Sequence, residues 1–427
     1  MQAFFPLYEQ RRIVGTLAYV VALFSLSGRF LGPLAPFIKP ALALSDVQIG
    51  LLSTAFLVGS LVSSFPAGRL VDRREVRTAI TLGLALLGLA LGVAATRTNF
   101  LELLLVLLLA GTFRNIVGIA VSVATIRHTA ADLWGTVTGV IRASGSSADL
   151  LVSLLLPMLA LVLGWAAALG LIGGLLLASA LILWPLLPVT RRGHRVGEQR
   201  VAQKGVLDQR VLLVSLVTSG YQTSLLAINS FFVLYLVEVL DISPVLSGAY
   251  LAVSQLMAVV GQIIWGVVGD RGVHSGKKTI LAHLGVGTAL GLLALAALPA
   301  RAGAAALLIV SAFLGLTALA SWGVITALIL DVSDVERAGN ANALFATFVY
   351  SVGAISPLLF GLIVEATDSF RIAFRLFAII TLGSAIALWF LPLKPAPEPD
   401  VERDAGGAGP AAGAQAGASQ NAAGGEY

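Results

Sequence analysis

From Ile13 to Phe390 the chain is almost continuously apolar, and polar residues come as short interruptions between long runs. A run of about 20 apolar residues crosses a hydrocarbon core about 30 Å thick. Twelve such runs are read, at 13–37, 47–67, 78–96, 100–126, 133–163, 165–187, 211–240, 244–268, 278–299, 302–330, 339–364 and 371–392. Their continuity predicts helices, because strands of a membrane barrel show short alternating segments. Two helix starts are signed: Ser45 with Gln48 three residues on makes a capping box, and Ser243-Pro244 supplies an N-cap and an N1 proline. The first run is too long for a signal peptide and lacks a small-residue cleavage site, so it is expected to remain as an anchor.

Composition agrees with a polytopic membrane protein: 58% of the 427 residues are hydrophobic, 11% are charged, and the mean hydropathy is +0.94. With no cysteine there are no disulfides or thiolate metal sites. His128, His194, His274 and His283 have no metal-ligand spacing and read as cytoplasmic surface, so no metal and no cofactor are expected. No phosphate-binding loop is present to support ATP drive, and no nucleophile with its base to support an enzyme. Trp165, Trp184, Trp265 and Trp389 stand near run ends as interfacial anchors.

A net charge of +5 would suit a nucleic-acid partner, but topology accounts for it better. Arg69, Arg73, Arg74, Arg77, Arg127, Arg191, Arg192, Arg271, Lys277, Lys278 and most other basic residues fall on one side of the bilayer. The other side holds only Lys39, Arg97, Arg301, Arg371 and Arg375. The positive-inside rule then puts both termini in the cytoplasm of a protein of the cytoplasmic membrane. A monomer in the lipid bilayer is expected.

The stretch between the sixth and seventh runs divides the chain into an N-terminal bundle (1–187), a linker (188–210), a C-terminal bundle (211–393) and a tail (394–427) too poor in apolar bulk to pack. The halves repeat. "GRLVDR" at Gly68 to Arg73 returns as "GVVGDR" at Gly266 to Arg271, an offset of 198, and Gly88/Gly92 return as Gly287/Gly291 at 199. Both hexapeptides read as charged turns between spans.

They resemble the G-x-x-x-D-R core of the signature loop of the major facilitator superfamily, and the resemblance covers residues 13 to 392. It implies an all-α fold of two pseudo-symmetric six-helix bundles. It also implies a conformational latch at Gly68, Asp72, Arg73, Gly266, Asp270 and Arg271, for which a solvated turn that fixes topology is the plain alternative. Glu75 and Val76 stand where the family usually places glycine and arginine, and "GVHS" stretches the second copy, so the latch would be weaker or differently paired.

Four charges stand inside the membrane: Arg29, Arg114, Arg142 and Asp149. A central arginine costs about 2.5 to 3.5 kcal/mol on insertion scales, so these residues are compensated or functional. Arg142 and Asp149 are seven residues apart and share a helix face. The expected pair is Arg114 with Asp149, which is purely structural or the proton-coupling site, leaving Arg29 and Arg142 free. Snorkelling to the outer headgroups is the plain alternative for Arg29. Arg114 in "RNIVG" resembles the family's R-x-x-x-G motif of the fourth helix, with Val117 where glutamine is common; that arginine is often tied to proton coupling or to substrate anions. Arginines in spans one and four resemble the organic-anion branch, and a guanidinium grips a carboxylate with two parallel hydrogen bonds. The second half offers the neutral groups Tyr221, Gln222, Asn229, Tyr235, Gln255, Gln262, Trp322 and Tyr350, of which Tyr221, Gln222, Asn229, Gln255 and Tyr350 join Arg29, Arg114 and Arg142 as the expected substrate contacts.

The reading is secondary transport of a small organic anion, a carboxylate, with protons, by alternating access. Proton-driven efflux of hydrophobic or amphipathic compounds of drug or lysolipid type is the second reading, favoured by the neutral second half. A transporter-fold sensor or structural membrane protein without flux is the third.

Overall fold

The computed structural model describes residues 4–128, 134–187, 209–271, 276–332 and 338–392; the linker and the tail lie outside them, as do His194 and His274. The first half comprises α1 (Phe4–Leu26), α2 (Leu31–Ala41), α3 (Asp46–Val62), α4 (Ser64–Arg73), α5 (Val76–Ala94), α6 (Phe100–His128), α7 (Trp134–Leu163) and α8 (Trp165–Leu186). The second comprises α9 (Gln209–Glu238), α10 (Pro244–Arg271), α11 (Gly276–Ala297), α12 (Ala304–Leu314), a π-helical turn (Gly315–Leu319), α13 (Ser321–Val332), α14 (Ala338–Thr367) and α15 (Phe370–Phe390).

Among the described residues eleven helices are long and apolar enough to span a bilayer, and the pair α3 and α4, bent by 47°, makes a twelfth. Span one, from Arg12 to Ala41, is α1 and α2 in series and is interrupted at Ser27–Phe30. The capping box forms at Ser45 and Gln48, and the Ser243 hydroxyl accepts from Leu246 N–H at 3.4 Å. The hexapeptides, expected as turns, are instead the helical ends of α4 and α10. Nothing lies within 4 Å of a side chain placed at Gly68 or Gly266, so no close approach demands glycine there.

The bundles meet at the end opposite the basic loops, along α2 with α9, α3 with α14 and α7 with α10. A Cβ at Gly50 of α3 would stand on the Pro357 carbonyl of α14, and one at Gly248 of α10 would press on Pro157 of α7. Gly248 lies 198 positions after Gly50 and Pro357 lies 200 after Pro157, so the repeat makes the same small-residue contact twice. Gly32 of α2 likewise meets the Asn229 carbonyl of α9. At the basic end, α4 packs on α3, α5 and α6 of its own half, and α13 on α9, α10, α11 and α14 of its own. The cleft between the bundles therefore closes toward the end opposite the basic loops.

Candidate functional site

Span one carries irregular backbone near its middle, and such backbone is tolerated at membrane depth where protein or a polar cavity satisfies it. When α1 stops at Leu26, its last carbonyls lose their helical donors. Phe24 O is satisfied twice, by the Ser27 hydroxyl at 2.9 Å and by Arg114 Nε of α6 at 3.3 Å. A guanidinium there also suits the negative end of the α1 dipole. The Arg114 guanidinium carbon lies 3.7 Å from the centroid of the Phe24 ring and 5.9 Å from that of Phe56. Gly118, one turn along α6, leaves room for the same Phe24 ring, which a Cβ there would meet at 2.9 Å. Both motif residues of "RNIVG" thus serve the break in span one.

Arg29 lies within that break. Its Nε is 3.5 Å from Asp149 Oδ2 of α7, with both side chains mostly buried. The expected partnership is therefore corrected: Asp149 pairs with Arg29, because the α1 carbonyl and the Phe24 ring hold Arg114. Arg114 remains within electrostatic reach of Asp149. The other carboxylate oxygen, Asp149 Oδ1, is buried with no hydrogen-bond partner among the described residues. Arg142, two turns from Asp149 toward the basic end, is exposed. Snorkelling does not describe Arg29, whose charge is spent on a carboxylate near mid-span.

From the second half, Tyr350 of α14 is nearly half exposed as a residue, and its hydroxyl is within electrostatic reach of Arg114, Arg29 and Arg142. Gln222 is buried against Gly353 of the same α14. Asn229 Oδ1 accepts from Gln255 Nε2 at 3.1 Å, where α9 meets α2. Tyr221 is a correction: it turns away into the second bundle, where its buried hydroxyl donates to Leu281 O of α11 at 3.0 Å. Tyr235, fourteen residues on, does the same to Leu295 O at 2.9 Å.

The side chains of Asp72, Asp270, Arg271 and His128 lie outside the described residues, and Arg73 is exposed. Trp265, read from the sequence as an interfacial anchor, donates its Nε1 to Leu316 O inside the π-helical turn at 2.8 Å. His283 accepts the Trp389 ring edge-on, at a centroid distance of 5.5 Å.

Sequence reasoning missed the closed end. Lys39 Nζ bridges Asp46 Oδ1 at 2.7 Å in its own half and Glu238 Oε2 at 2.8 Å across the interface. Beside it, Val47 N–H donates to Glu365 of α14 at 3.3 Å. The only hint in the sequence is that Lys39 is a lone basic residue of its loop and Glu238 sits at a span end.

Comparison with known proteins gives matches along the chain. The profile described as Major Facilitator Superfamily matches residues 17–357 and 275–420. The hexuronate transporter of Bacillus subtilis (strain 168) is 24% identical over 375 residues, covering 83% of this chain and 88% of the relative. The probable sulfoacetate transporter SauU of Cupriavidus necator is 27% identical over 404 residues, covering 86% and 90%. Among solved structures, a bacterial homolog of the human lysosomal transporter Spinster, inward-facing and occupied, superposes with a TM-score of 0.73 over 88% of this chain and 95% of that one. At 13% identity that likeness concerns the fold alone.

Proposed function

Because this chain belongs to the major facilitator superfamily and is a membrane transporter rather than an enzyme, we propose that it carries a small organic anion, a carboxylate, with protons across the cytoplasmic membrane. One observation carries this reading: among the described residues, Arg29 and Arg114 gather about Asp149 near mid-depth, two cations to one carboxylate, with the exposed Arg142 two turns away toward the basic end. Uncompensated positive charge in a membrane is costly, and an anion entering the cleft relieves it. The relatives named for hexuronate and sulfoacetate, both anions, support the class.

The positive-inside rule supports a closed end that is outside and termini that are inside, and on that reading the cleft faces the cytoplasm in this state. Rocking of the bundles would part α2 from α9 and close α4 against the second half, where Gly68, Asp72, Arg73, Gly266, Asp270 and Arg271 would act as the latch. Asn229, Gln255, Gln222 and Tyr350 form the second-half wall. Tyr221 has no part in it.

The test is a thermal-shift panel on the purified chain with carboxylates, phosphates, neutral sugars and lysolipids. A ligand at a hundredfold excess over its Kd stabilises by about 2.7 kcal/mol. Carboxylates are expected to raise Tm, and Arg29→Ala to abolish the shift. Stabilisation by lysolipids alone would replace this reading with amphipath efflux.

A further inference from the structure

Facing the arginines is a row of three aromatic rings. Phe345 of α14 is buried; Trp322 of α13 lies against it at a centroid distance of 5.9 Å; Tyr350 lies against Trp322 at 5.7 Å, tilted by 42°. The row runs from buried Phe345 through Trp322 to exposed Tyr350, so the outermost ring is backed by two others. The Tyr350 hydroxyl is within electrostatic reach of three cations that all belong to the other half.

The backbone just before Trp322 is itself unusual. Gly315–Leu319 form a π-helical turn, a device common at functional sites. The turn is held from α10: Gly315 packs against the Ser254 carbonyl, and Trp265 Nε1 donates to Leu316 O. One extra residue in the turn rotates everything after it by about 100° relative to a regular helix. Trp322 stands three residues beyond that turn, so its direction toward Tyr350 depends on it.

We infer that this wall selects anions carrying a six-membered ring, with the carboxylate held by the arginines of the first half and the ring face laid against Tyr350 and Trp322. The inference rests on the carboxylate reading above and narrows it. Two ring chemistries fit an aromatic wall: the C–H face of a sugar acid and the π face of an aromatic acid. Short acyclic anions reach the arginines and leave the wall uncovered.

The experiment measures affinities of the purified full-length chain by calorimetry for four probes: glucuronate, benzoate, propionate and acetate. Wild type is expected to bind glucuronate or benzoate about tenfold more tightly than propionate. Which of the two binds tells a sugar ring from an aromatic one. Trp322→Leu should bring the ring acids to within about twofold of propionate and leave propionate itself unchanged; Trp322→Phe should retain most of the preference. Ratios within one variant are insensitive to the fraction of protein that folds. Equal affinity for propionate and the ring acids in wild type overturns the inference while the carboxylate reading stands, as does equal weakening of all probes by Trp322→Leu. If none of the four binds, both fall.

Discussion

The guanidinium of Arg114 occupies the space that a side chain at Gly28 would need: a Cβ there would come within 2.6 Å of Nη2 and 2.8 Å of Nε. Gly28 and Arg114 are therefore one device, in which a break in span one and the cation that caps it fit each other. Gly28→Ala should push the guanidinium off the Phe24 carbonyl and destabilise the protein by about 1 to 3 kcal/mol. Carboxylate binding should fall with it. In an Arg114→Ala background the same change should be nearly neutral, and this non-additivity in Tm is the measurement. Additive effects would mean the two residues do not act together.

The apolar runs, the two helix caps and the repeat were readable because each is local or periodic. Gly50 with Pro357 and Gly248 with Pro157 show how far the periodicity reaches, since the contact between the halves is itself repeated. The ion pairs were not readable. Seven-residue spacing puts Arg142 and Asp149 on one face, but whether Arg114 or Arg29 reaches that face depends on a break in span one that its sequence, Ser27-Gly28-Arg29-Phe30, signals only weakly. The hexapeptides were misread as turns because their charge suggested water, and arginine-rich helix ends also stand in water.

Tyr221 separates a binding residue from a packing residue. Its hydroxyl donates to the Leu281 carbonyl within the second bundle. Tyr221→Phe should cost about 1 kcal/mol of stability and leave the affinity for any carboxylate unchanged. A selective loss of affinity, with Tm intact, would return Tyr221 to the binding wall.

Lys39 holds the closed end shut through Glu238, and Asp46 keeps Lys39 in place from its own side. Opening that end requires Lys39 to leave Glu238. A partly buried pair of this kind is worth about 1 kcal/mol, so Glu238→Gln should shift the ratio of open to closed by about fivefold. The chain has no cysteine, so spin labels can be placed on cysteines introduced at Ala41 and Leu246 without background. Their separation should lengthen in Glu238→Gln. An unchanged distance distribution would show that the glycine contacts alone close this end.

On the proposed reading, Asp149 would couple proton and anion through its partner. In this state Arg29 pairs with one carboxylate oxygen while Oδ1 is buried with no hydrogen-bond partner among the described residues. An anion that reaches Arg29 competes with Asp149 for the guanidinium. If it wins, Asp149 becomes an uncompensated buried charge, which costs several kcal/mol, and a proton is the smallest ion that removes it. Anion and proton would then enter together, and in the returning empty carrier Asp149 would again hold Arg29 and release the proton. Asp149→Asn keeps the shape and removes the charge. In proteoliposomes it should abolish accumulation driven by a pH gradient, while exchange of carboxylate at equal pH continues. Arg29 is also freed in this variant, so carboxylate affinity should rise. Persistence of gradient-driven accumulation would place the proton elsewhere and leave Asp149 as the structural partner of Arg29.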